Sequence, residues 1–118
     1  MASNDDWLNQ VQEETLDPDL PICDTHHHLW DFKTERVDPR YFIEEFEQDA
    51  QSGHNIVSSV FIECNAMYRA DGPEEMKPVG EVEFANGVAA MGASGLYGST
   101  KVAAAIIGHA ELSLGSKV

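Results

Sequence analysis

Pro21-Ile22-Cys23-Asp24-Thr25-His26-His27-His28-Leu29-Trp30 opens apolar and turns polar within a few residues. A short apolar run that ends in polar side chains is the pattern of a buried strand delivering groups to a rim. The first strand is therefore expected over Pro21 to Thr25. Residues two apart on a strand share a face, so Asp24, His26 and His28 are expected to project together, with Thr25 and His27 opposite. Two imidazoles on one side of a rigid strand can supply two ligands to a zinc-like ion. The alternative is an exposed polar loop or a metal-sticky tract of chance histidines. Position favours the first: the pair directly follows an apolar run, Leu29 and Trp30 return the chain to apolar packing, and sites of parallel α/β folds lie at the carboxyl ends of strands.

Beyond this run, Asp38-Pro39 provides an N-cap and a first-turn proline, and Gly53 a terminator, which predicts a helix with an apolar stripe of Phe42, Ile43, Phe46 and Ala50. Asn55 to Cys64 is rich in β-branched residues and reads as the second strand. From Pro78 to about Met91 the apolar positions Val79, Val82, Phe84, Ala85, Val88, Ala89 and Met91 predict a helix lying on a sheet. Gly92 to Lys101 reads as loop. Its glycines 92, 95 and 98 carry no phosphate-binding fingerprint. Val102 to His109 is the third strand, built of small apolar residues. The order strand, helix, strand, helix, strand predicts an α/β fold with parallel strands joined by crossovers. Residues 1–19 form an acidic N-terminal arm, in which Trp7, Leu8 and Val11 fall at helical spacing, and residues 20–118 form one unit.

With 118 residues there is room for one ordinary domain. Seven basic against twenty-one acidic residues give a net charge of −14, which repels phosphate backbones and anionic lipid, so neither nucleic acid nor a membrane is an expected partner. A hydrophobic content of 42% is enough for folded elements. No run approaches the roughly 18–20 apolar residues of a membrane helix, and Met1 to Gln12 is polar and acidic, so a cytoplasmic protein is expected. Cys23 and Cys64 each sit in an apolar run, which suits buried, reduced thiols.

Other candidates cluster at strand ends. Alternation places Ser59, Phe61 and Glu63 on one face of the second strand and Val60, Ile62 and Cys64 on the other. Glu63 thus reaches the rim, where it binds metal, orients a histidine or touches substrate, or is only a solvated acid. Arg69 has a fork suited to a carboxylate, or it offsets nearby acids. His109 ends the third strand and reads more readily as a packed, hydrogen-bonded residue. His54 precedes the second strand and falls at the opposite end.

Ile22-Cys23-Asp24-Thr25-His26-His27-His28-Leu29-Trp30-Asp31 resembles the opening of the amidohydrolase-related family of metal-dependent TIM-barrel hydrolases. Ser52-Gly53-His54-Asn55, Phe61-Ile62-Glu63-Cys64, Met67-Tyr68-Arg69, Pro78-Val79-Gly80-Glu81 and Ile107-Gly108-His109-Ala110-Glu111-Leu112 are similar to its lactonase-like branch. The resemblance implies a partial (β/α) TIM-type barrel of about three parallel strands, two intervening helices and an N-terminal arm, since a complete barrel takes about 250 residues. It further implies a divalent metal, zinc or else manganese, held in part by His26 and His28, and a small-molecule lactone or carboxylate substrate, with Glu63 and Arg69 as catalytic candidates. Decarboxylation is the neighbouring chemistry within the superfamily. A catalytically dead, truncated copy serving as a binding or interaction module is the other alternative, and exposed sheet edges would then favour self-association.

Overall fold

The computed structural model describes residues 4–31 and 40–118. In chain order the elements are α1 (Asn4–Leu8), β1 (Pro21–His27), β2 (Trp30–Asp31), β3 (Arg40–Tyr41), α2 (Ile43–Ala50), β4 (Asn55–Ile62), α3 (Val79–Ala93) and β5 (Lys101–Ile107). Short 3-10 turns lie at Glu74–Met76 and Leu112–Lys117. The strands β1, β4 and β5 form one parallel sheet in that order. The expected α/β alternation of three parallel strands with two helices between them is thus the observed architecture. Among the described residues the sheet stays open, with β1 and β5 as its edges.

One face of the sheet is covered by both helices. Phe46 of α2 packs on His27, Phe84 of α3 packs on Phe61, and Phe42 meets Phe84 at 5.5 Å between ring centroids. Leu29, Ile43, Phe46, Ala50, Phe61, Ala85, Val88, Val102 and Ala103 make up the core beneath them. Gly92 lets α3 approach β5 closely, because a Cβ there would already stand 3.3 Å from the Val102 side chain. On the opposite face Val60 and Ile62 are only half-buried and Cys23 is exposed. Cys23 was expected to be buried; the register of β1 turns it away from the helices. Both cysteines are free thiols.

The first long helix begins later than its sequence signals suggest. Asp38 and Pro39 lie outside the described residues, and Arg40–Tyr41 is still extended, paired antiparallel with Trp30–Asp31. The helix starts at Ile43 because Glu45 caps it, its carboxylate accepting the Phe42 backbone N–H at 2.9 Å. Among the expected stripe residues of α3, Val82 is exposed, and Glu81 is buried in its place. The arm carries the short α1, after which Val11 and Leu16 are exposed. Its end runs past the amino ends of the strands: the Asn55 amide donates to Asp19 O at 3.2 Å, and His54 lines a hollow with Glu13, Leu16 and Leu20. His54 is therefore at the end of the sheet opposite the histidine run, as its position before the second strand implies.

Candidate metal centre

The histidine run occupies the carboxyl end of β1, and its three rings divide between two environments. Ser59 and Phe61 stand opposite Asp24 and His27 respectively, so three steps along β1 match two along β4. This is a bulge, and it changes the parity of the strand. Asp24 and His27 share the helix-covered face, with Asp24 bordering a hollow formed by Tyr41, Phe46, Asp49, Ala50 and Ile56. The expectation that Asp24 projects with His26 and His28 is thus corrected, since simple alternation does not survive an extra residue. Its Oδ1 instead accepts the His26 backbone N–H at 3.1 Å.

His27 is 6% exposed, lies against Phe46 at 4.6 Å, and places Nε2 2.9 Å from the Ser59 hydroxyl. Burial lowers its pKa below the ordinary histidine value, because an apolar surround penalises the charged ring, and the nearby Asp24 carboxylate only partly opposes this. It is a neutral, internal residue facing away from its two neighbours, as the alternation of the run suggests.

His26 is exposed and His28 half-buried, and their ring centroids are 5.0 Å apart at right angles. Two imidazoles bound to one tetrahedral ion, with metal–nitrogen bonds of about 2.0–2.1 Å, have centroids roughly 5 Å apart. That separation is compatible with a shared ion and is equally that of an edge-to-face contact between the two rings. His28 Nδ1 lies 2.8 Å from Ile62 O. A carbonyl can only accept, so Nδ1 carries the proton and the Nε2 lone pair is left for a metal. This arrangement of the outer hydrogen bond orients ligand histidines generally. Trp30, stacked on His28 at 5.8 Å, holds the ring plane from the other side. Among the described residues no three of His, Cys, Asp and Glu come together as a metal-holding group, so the pair stands as two donors.

The other candidates are placed apart by their own partners. Glu63 follows β4 directly, its N–H extending the ladder to Ile107 O at 2.9 Å. Its carboxylate faces His109 Nδ1 at 3.9 Å, with both side chains partly exposed. Strand ends β4 and β5 thus bring together two residues that are unrelated in sequence. His109 also borders a hollow of about 300 Å³ with Tyr68, Glu74 and Glu111. Arg69 directs its fork to both carboxylate oxygens of Glu83 on α3, at an exposed site. In this arrangement it offsets a local acid.

Besides the histidine run, the buried polar residues Ser59, Glu81 and Glu47 escape sequence reading. Ser59 is fully buried, and besides His27 it takes the Ala103 N–H at 2.9 Å. Glu81, also 0% exposed, accepts the backbone N–H groups of Cys64 and Ala66, each at 2.8 Å, through one oxygen. It ties the segment after β4 to the first turn of α3. Burial, then the adjacent Glu81, pushes the Cys64 thiol up to about 11. The only sequence signal for Glu81 is an acid at helical spacing with the apolar Ala85 and Val88. Glu47, buried on α2, packs against Gly98, where any Cβ would strike its carboxylate. That contact accounts for the glycine without a phosphate.

Comparison with protein-family models, with curated proteins and with solved structures finds no match for this chain.

Proposed function

We propose that this chain carries the first-strand half of the divalent-metal site of a hydrolase of the amidohydrolase-related type, acting on a lactone or similar acyl bond. The observation that carries the reading is the His26–His28 pair: 5.0 Å between rings, at the carboxyl end of a parallel strand, with His28 Nδ1 committed to Ile62 O. The fold is consistent with it. Strands that neighbour one another in chain order, with both helices on one face, follow the winding of a (β/α) barrel, whereas a doubly wound sheet reverses direction and is covered on both sides. On this reading the three strands are a barrel segment, the helix-covered face is its outside, and the face opposite is its interior. Zinc is the first candidate ion and manganese the second.

When bound, such an ion polarises an acyl carbonyl and lowers the pKa of a coordinated water towards about 7. The chain's own contribution is positional. His28 presents a single nitrogen because Ile62 O holds the other, Trp30 fixes the ring plane, and exposed His26 is open to an incoming ligand. Glu63, partly exposed beside His109, is the rim acid of this reading. A second reading, a metal-binding or interaction module without catalysis, is favoured by one observation, the lack of a third donor near the pair among the described residues.

Zinc titration by calorimetry into the wild type and a His26→Ala, His28→Ala double variant tests the ligands. Uptake by the wild type alone is expected, and equal uptake by both would falsify the assignment. Lactone opening by the zinc-loaded wild type, lost in the double variant, establishes the hydrolase over the module, which binds the ion and turns nothing over.

A further inference from the structure

We infer that Ser59, together with His27 and Asp24, is the positioning device of the His26–His28 pair: a buried joint that locks two β-bulges against each other and so decides which way the end of β1 faces. The inference rests on the reading of His26 and His28 as the functional pair, and it concerns residues to which that reading gives no role.

The β1 bulge leaves Thr25 and His26 between the paired positions Asp24↔Ser59 and His27↔Phe61. The His26 N–H is taken up by the Asp24 carboxylate at 3.1 Å. On the other side of β4, Ser58 pairs with Lys101 and Val60 with Ala105, so β5 also carries extra residues. Within that second bulge Ala103 has a left-handed backbone, φ 49°, which a non-glycine residue adopts only when its surroundings require it. Its N–H is received by Ser59 Oγ at 2.9 Å, and the same oxygen lies 2.9 Å from His27 Nε2.

A hydroxyl offers one proton and two lone pairs, so a single serine can serve both neighbours at once. At 0% exposure no water can replace it. The joint therefore spans all three strands under the helical layer. Its consequence for the pair is one of parity. Sliding β1 by one residue exchanges its two faces, so losing the bulge would turn His26 with Asp24 onto one face and release His27 from the core. Bulges beside functional sites commonly serve to re-aim a side chain in this way.

The test is NMR on the whole chain: the cross-relaxation contact between the His27 and Phe46 rings, which are 4.6 Å apart and part only if β1 turns over, and hydrogen exchange of the His26 and Ala103 amides. Wild type should show the ring contact and slow exchange at both amides. Ser59→Ala should lose the contact and expose both amides, and zinc affinity should fall with them, because the end of β1 no longer presents His26 and His28 on the open face. Asp24 is only half-buried and its bond to the His26 N–H is exposed, so its variants disturb the core less than Ser59→Ala does. Asp24→Ala should behave like Ser59→Ala at His26, and Asp24→Asn, which keeps an acceptor oxygen, should restore the contact. Retention of the ring contact in folded Ser59→Ala or in Asp24→Ala overturns the inference, as does its absence in wild type. A wild type that shows the ring contact but takes up no zinc sinks the ligand reading alone, and the variants still decide the joint.

Discussion

Replacing Glu81 is expected to be the most damaging single change to the segment that follows β4. In Glu81→Ala two backbone donors, the N–H groups of Cys64 and Ala66, lose the oxygen that now receives them at 2.8 Å. Ala66 is 2% exposed and Glu81 itself is 0% exposed, so water does not reach this position. Each stranded donor costs about 1–3 kcal/mol, giving roughly 2–6 kcal/mol for the pair before any cavity term. That is a large part of the roughly 5–15 kcal/mol by which a domain is stable. Glu81→Gln separates the causes. The amide keeps an oxygen for both N–H groups but places an NH2 donor where Oε2 has no partner, at a cost of about 1–3 kcal/mol. Urea denaturation should rank wild type above Glu81→Gln above Glu81→Ala, and with slopes of about 1–3 kcal/mol per molar the midpoint of the alanine variant should fall by about 0.7 M or more. Amide exchange at Cys64 and Ala66 should accelerate in the alanine variant specifically. A midpoint for Glu81→Ala equal to wild type, or a glutamine variant as unstable as the alanine one, would refute the account.

The two thiols should differ in reactivity: with the half-buried Cys64 pushed up to about 11 and Cys23 exposed, iodoacetamide at about pH 8 should label Cys23 rapidly and Cys64 much more slowly, the difference vanishing on denaturation. Equal labelling rates in the folded chain would show that Cys64 is not shielded beside Glu81. Gly80→Ala should lower the melting temperature although alanine favours a helix by about 0.8–1 kcal/mol, because its Cβ would lie 2.5 Å from Met67 O and 2.8 Å from Arg69 N, backbone atoms that cannot step aside; a raised melting temperature would mean that the loop is not seated there.

The alternation of elements, the parallel sheet and the end of the sheet at which the histidines gather are legible in the sequence. Those follow from periodicity and turn chemistry, which act over a few residues and are written in Ile22-Cys23, in Asn55 to Cys64 and in the spacing of the α3 apolar residues. The opposition of His27 to His26 and His28 was also legible there. That Asp24 parts from the pair, that the Arg69 fork goes to Glu83, that Glu63 meets His109, and that Glu81 and Ser59 are buried at all follows from the assembled fold alone. The physical reason is common to these cases. A bulge, a buried carboxylate or an ion pair is settled by the hydrogen bonds offered by a neighbouring strand or helix, as Ala103 N offers one to Ser59 across 44 positions of sequence, and local residue patterns carry no information about which donor that neighbour will bring.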